Sequence, residues 1–187
     1  MKYLNGIIVA DKILNNLDRF VIDFINVFEK HSDYVIVSGY VSIILGRSRI
    51  SEDVDLIFNK KSKEEFIKIH EDMLRKGFWC LNSDDIEELY SLLESKHSIR
   101  YGFNNNPFPN MEIKFAKNQI DYLALKTRII VRLPSKDIYI SDLNLQIAFK
   151  EKILASSKDI EDAMHLRKTF KEQIEEDKIK IYKELMI

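Results

Sequence analysis

The chain has 187 residues, with 29 basic against 30 acidic side chains and a formal net charge of −1. That balance excludes a uniformly basic nucleic-acid-coating protein, while leaving room for a local basic patch. Its single cysteine, Cys80, cannot close an internal disulfide, which excludes a disulfide-stapled fold and points to a reducing compartment.

A chain of this length suits one domain and can bury about 70% of its unfolded surface, so it needs no staple to fold. The opening stretch, MKYLNGIIVADKIL, has too short an apolar run for a signal peptide. No segment is long enough to cross a membrane, and the expected location is the cytoplasm. Ile13, Leu14, Leu17, Phe20, Val21, Phe24, Ile25 and Phe28 make a broad helical stripe, which predicts an amphipathic helix over 10–29. His31 and Ser32 close it before a buried strand over 34–37.

The stretch that follows, up to Phe58, reads VIVSGYVSIILGRSRISEDVDLIF from Val35. It predicts a strand, a small-residue turn at Ser38-Gly39, a short apolar helix over 40–45, a basic loop and a second strand. Asp53 and Asp55 share one face of that second strand, while Val54, Leu56 and Phe58 face the core. Two carboxylates so close repel each other unless a cation sits between them, and a hard ion such as Mg²⁺ prefers oxygen ligands and needs few of them from protein. Gly39 permits a close backbone approach, and the helix it opens offers free N–H groups to a phosphate.

Downstream, Ser62 begins a capping-box helix stopped by Gly77, and Phe78–Leu81 is a short strand. Ser83 opens a helix to about Lys96, whose run of Asp84, Asp85, Glu87, Glu88 and Glu94 reads as a solvated face. Strands follow over 98–103 and 111–116, separated by an Asn-rich turn. The second of these alternates cleanly, with Ile113 and Phe115 on one face and Glu112 and Lys114 on the other, where Glu112 could simply face solvent. Strands over 128–133 and 137–140 precede a helix over 142–154, capped by Ser141. Lys152 lies one turn beyond its apolar stripe of Leu145, Ala148 and Phe149, and Lys150 lies on another face. Ser157 caps a helix to about Phe170 that carries Asp159 and Asp162 on one face, and 171–186 is a final charged helix. His31, His70, His97 and His165 show no zinc-ligand spacing. Arg47 could serve phosphates, an acceptor nucleic acid or the surface.

Ser38-Gly39 followed by Arg49-Ile50-Ser51-Glu52-Asp53-Val54-Asp55 resembles the signature of the nucleotidyltransferase superfamily, the fold of polymerase-beta-like enzymes. The Arg-x-Ser-x-Asp-x-Asp form, with the distal Glu151-Lys152-Ile153-Leu154-Ala155 and Lys158-Asp159-Ile160-Glu161-Asp162, is most similar to the AbiEii-like branch of abortive-infection and toxin–antitoxin systems. The resemblance spans roughly 35–166. It implies an α/β (α+β) fold, a mixed sheet flanked by helices with a C-terminal helical extension. The core would be 1–140, with 141–187 completing the cleft.

The implied activity is metal-dependent transfer of a nucleoside monophosphate from an NTP to an acceptor hydroxyl on an RNA end, a protein or a small molecule. Asp53, Asp55 and, as the third carboxylate that the resemblance implies, Glu112 would hold Mg²⁺ or Mn²⁺ and act in catalysis, with Asp121 as runner-up to Glu112. Ser38, Gly39, Arg49, Ser51, Lys152 and Asp159 would bind substrate or support those that do. The branch also implies a toxin-like role and an antitoxin partner. Ser38 stands where the family carries Gly, and Glu112 where it mostly carries Asp, which moves the carboxylate by roughly an ångström. Those departures keep a second reading open, a catalytically degenerate module that binds nucleotide or another protein.

Overall fold

The computed structural model describes residues 1–4 and 6–186. In chain order the strands are β1 (Lys2–Leu4), β2 (Ile7–Val9), β3 (Tyr34–Val37), β4 (Asp53–Phe58), β5 (Phe78–Cys80), β6 (Ile99–Phe103), β7 (Asn106–Phe115), β8 (Ile129–Arg132) and β9 (Asp137–Ile140). The helices are α1 (Asn16–Phe28), α2 (Ser38–Ile44), α3 (Lys63–Arg75), α4 (Ile86–Glu94), α5 (Gln119–Thr127), α6 (Leu143–Phe149), α7 (Ser157–Thr169) and α8 (Glu176–Leu185). A π-helical turn, Lys150–Leu154, continues α6.

The strands form one mixed sheet in the order β1-β2-β8-β9-β3-β4-β7-β6-β5. β3 and β4 pair antiparallel across the α2 connection, and β4 then pairs parallel with β7. Val54, Leu56 and Phe58 are fully buried on the face covered by α1, α3 and α4. An aromatic seam holds that side together: Phe28 meets Phe58 edge-on at 5.0 Å, and Phe24 meets Phe78 at 5.2 Å. The opposite face carries Asp53 and Asp55, with α2, α5 and α6 packed beside them.

Several boundaries differ from the sequence expectation for identifiable reasons. α1 starts at Asn16 rather than near Ala10, because Asn15 and Asp18 close a reciprocal capping box. Ile13, counted in the apolar stripe, is therefore outside the helix and 94% exposed. Asp142, not Ser141, caps α6, and Ser156, not Ser157, caps α7. β1 and β2, too short for a periodic pattern to register, add a hairpin that docks on β8.

Asp18 does more than cap. Its fully buried carboxylate also accepts from the Tyr40 hydroxyl at 3.0 Å and lies 2.8 Å from Lys12 Nζ, tying α1 to α2. Replacing Asp18 with Ala leaves those donors unpartnered and should lower unfolding stability by about 2–4 kcal/mol in urea titrations. Asp18→Asn, which keeps an acceptor oxygen, should lose less.

Candidate active site

Register decides where the acidic groups meet. Across the parallel β4–β7 pair, Asp53 lies opposite Asn110 and Asp55 opposite Glu112. Side chains directly opposite share a face, so all three carboxylates project from the same side of the sheet. Burial raises the Asp55 carboxyl most, with the neighbouring charges of Glu112 and Asp53 adding to it, to about 6. The Ser38 hydroxyl and the Lys114 ammonium pull the other way. Asp53 is exposed at the strand's entrance, where its carbonyl accepts from the Ser51 hydroxyl at 3.0 Å.

Glu112 is already engaged. Ser98 Oγ donates to its Oε1 at 2.6 Å, and Arg100 Nε and Nη2 both donate to its Oε2 at 2.9 and 2.6 Å. Accordingly, among the described residues no three acidic, histidine or cysteine side chains stand close enough to form a ready-made metal cage. The donor chemistry nevertheless fits a hard divalent ion. Asp53 and Asp55 are oxygen donors whose mutual repulsion such an ion relieves, and Mg²⁺ keeps most of its waters when bound to one or two carboxylates.

The Ser38-Gly39 turn sits beside this face. Ser38 adopts φ +60°, a left-handed conformation that costs a non-glycine residue roughly 1 kcal/mol or more. Gln146 of α6 holds it there, accepting from the Ser38 backbone N–H at 3.3 Å and donating to its carbonyl at 2.8 Å. A Cβ on Gly39 would stand 2.8 Å from Arg49 Nη2, so the missing side chain is what lets the guanidinium lie over the turn. Gln146 is a residue of this turn that the sequence reading missed. Its signal was a lone amide inside an apolar helix stripe.

Behind the turn lies a buried ionic knot. Asp162 is fully buried and takes Arg49 Nη1 at 2.7 Å, Lys150 Nζ at 2.7 Å and Arg47 Nε at 2.6 Å. The Arg47 contact is ionic rather than an aligned hydrogen bond. Lys150 also reaches Asp159 at 3.2 Å, and Arg47 reaches Glu161 at 2.6 Å. Three cations are thereby fixed around one carboxylate at the rim of the turn.

Lys152 does not join them. It is exposed, and its Nζ donates to the Lys183 carbonyl of α8 at 2.7 Å. Lys150 stands three, four and seven residues after the buried Ile147, Gln146 and Leu143, so ordinary helical spacing already carries it inward, ahead of the π turn that sets the direction of Lys152. Asp121, the alternative third carboxylate, is buried at the start of α5 and accepts from the Lys117 backbone N–H at 3.0 Å.

A narrow cleft of about 80 Å³ opens between the sheet and α5 and α6. Ser38, Asp55, Glu112, Lys114, Asp121, Ser141 and Gln146 line it together with an apolar floor of Val37, Leu56, Ile57, Ile120, Ala124, Leu145 and Phe149. Carboxylates at one wall, a cation-flanked turn beside them and an apolar floor suit a polyanionic ligand with an apolar body.

No protein-family model and no curated protein matches the sequence. Among the solved structures that match its fold are two of ANT(2'')-Ia. The crystal structure of ANT(2'')-Ia in complex with adenylyl-2''-tobramycin shares 12% identity at a TM-score of 0.55, covering 91% of this chain and 96% of that one. A solution structure of the antibiotic-resistance factor ANT(2'')-Ia shares 11% identity at a TM-score of 0.54, covering 90% of this chain and 89% of that one. The chain therefore has the nucleotidyltransferase fold over nearly its whole length.

Two outcomes follow from this arrangement. Asp162→Ala strips the fully buried Lys150 of its main partner and should cost about 3–5 kcal/mol in denaturant unfolding, far more than truncating an exposed ion-pair partner. The raised Asp55 carboxyl means the folded, ligand-free protein holds a proton that the unfolded chain releases near 3.8. Its contribution to stability is thus greatest below about 4 and is lost as pH rises through about 6. Thermal scans should show Mg²⁺ raising Tm more at pH 7.5 than at pH 5, with the difference abolished in Asp55→Asn.

Proposed function

We propose that this chain is a nucleotidyltransferase that moves a nucleoside monophosphate from an NTP to an acceptor hydroxyl. The carrying observation is the pairing of Asp55 with Glu112 across β4–β7, beside the Ser38-Gly39 turn and its cations. In the step, the acceptor oxygen forms a bond to the α-phosphorus and the bond from that phosphorus to the α,β-bridging oxygen breaks. Pyrophosphate leaves with the bonding electrons, and the hydroxyl proton passes to the Glu112 carboxylate.

Asp53 and Asp55 would hold Mg²⁺ or Mn²⁺, with Glu112 turning to join them. Such an ion supplies charge neutralisation at the triphosphate and lowers the pKa of the attacking hydroxyl. Ser38 and Gly39 would present backbone N–H groups and a hydroxyl to the β and γ phosphates. Arg49, with Ser51 beside the strand entrance, would add a planar guanidinium for bidentate contact. Lys152 would have neutralised triphosphate charge; here the buried Lys150, with Asp159, would instead fix Asp162, which holds Arg49 in place. In this reading 1–140 is the catalytic core, and 141–187 completes the cleft through α6.

The spacing of Arg49, Ser51, Asp53 and Asp55, with Asp159 and Asp162 downstream, supports placing the chain in the AbiEii-like branch. A toxin-like role in the cytoplasm with an antitoxin partner goes with that placement. One observation favours the degenerate-module reading instead: Glu112 is clamped by Ser98 and Arg100 and so is withheld from both metal and proton. Label transfer separates the two. Incubation with each of the four α-labelled NTPs, Mg²⁺ and candidate acceptors should give labelled product. Asp53→Ala/Asp55→Ala should reduce it by well over about 100-fold, more than loss of a supporting residue costs. Silence with every NTP and acceptor, alongside retained NTP binding, would favour the module.

A further inference from the structure

The wall of the cleft formed by α6 carries one amide among apolar neighbours. Leu143, Leu145 and Ile147 around it are buried, and Gln146 itself is 2% exposed. Both ends of that amide go to a single residue 108 positions away. Its Oε1 accepts from the Ser38 backbone N–H at 3.3 Å, and its Nε2 donates to the Ser38 carbonyl at 2.8 Å. Those two groups flank the Ser38 Cα, so the amide clasps this residue from both sides as a neighbouring strand would. Exchanging the amide oxygen and nitrogen would set donor against donor and acceptor against acceptor, so one orientation alone fits.

Ser38 needs holding. At φ +60° it occupies a region that glycine enters freely and an L-residue enters at a cost. Serine brings what glycine lacks, a hydroxyl that hydrogen-bonds to the Asp55 carboxylate. Glycine here would satisfy the backbone and leave Asp55 without that hydroxyl. Serine supplies the hydroxyl and must be restrained from outside. Gln146 is the restraint, and Ser38, Asp55 and Gln146 line the same cleft.

We propose that Gln146 is a positioning residue for the triphosphate, locking Ser38 in the left-handed conformation that aims the Ser38 hydroxyl and the Gly39 N–H. This rests on the nucleotidyltransferase reading and deepens its account of how the nucleotide is held. Without the amide, Ser38 relaxes to negative φ, which swings its side chain and the following N–H to new directions. The dependence has a chemical signature, because it exists only while residue 38 carries a Cβ. Glycine keeps positive φ without help. Loss of Gln146 therefore harms nucleotide binding in the serine protein and hardly matters once Ser38 is replaced by glycine. Packing lost around α6 would harm both alike.

The test is calorimetry in Mg²⁺ with whichever of ATP, GTP, CTP and UTP binds tightest. Gln146→Ala is compared with Gln146→Met, which keeps the side chain's bulk in the apolar stripe, each with Ser38 in place and in the Ser38→Gly background. With Ser38 in place, both variants should weaken NTP binding about tenfold, the equilibrium worth of one strained residue. In the Ser38→Gly background the same changes should weaken it no more than about twofold. Crystals of ligand-free Gln146→Met add a readout that needs no nucleotide, in which Ser38 should have left the left-handed region. Ser38 still near φ +60° there, or equal loss of NTP affinity in both backgrounds, would overturn the proposal. Failure of the unmodified chain to bind any of the four NTPs would instead sink the transferase reading, with the crystals still deciding the lock.

Discussion

The parallel pairing of β4 with β7 is the constraint on which the site depends. It sets Asp55 against Glu112 and Asp53 against Asn110, and the alternation of the strands does the rest. A slip of one residue would send Glu112 to the helix-covered face and bring Met111 or Ile113 to the cleft. Burial of Met111, Ile113 and Phe115 on the helix-covered face prevents that slip, since it would drive Glu112 into hydrocarbon. The acidic cluster is therefore held in place by the hydrophobic core on the far side of the same strand.

Around this sheet, carboxylates serve two opposite purposes. Burial first, and then the charges of Glu112 and Asp53, keep the Asp55 carboxyl raised. Asp162, by contrast, is saturated with cations from the loop before β4 and from the π turn after α6. The first group is built to receive positive charge and the second to fix it. Arg49 links them, lying over Gly39 on one side and paired to Asp162 on the other. Ser98 and Arg100 give Glu112 a resting position between the two regimes.

Much of this was legible in the chain. The alternation through 53–58, the small-residue turn before it and the Glu112 strand are short-range patterns that survive folding unchanged. The capping chemistry at Ser62 and the stop at Gly77 follow equally local rules. What escaped was set by longer range. Lys150 shares the spacing of Leu143, Gln146 and Ile147, and only its pairing with Asp162 on another helix shows that this face, not that of Lys152, carries the buried lysine. Arg100 meets Glu112 only through cross-strand register, since the sequence gives no sign of which strands adjoin. Gln146 reaches the Ser38 turn across 108 residues of chain, and that contact exists only once α6 has docked.

The most direct test is to locate the ion itself. Crystals grown with Mn²⁺ and a non-hydrolysable ATP analogue should give an anomalous peak between Asp53 and Asp55, with the triphosphate over the Ser38-Gly39 turn and Glu112 released from Arg100. Manganese bound elsewhere, or nucleotide bound with Glu112 still clamped and no ion at the aspartates, would contradict the account.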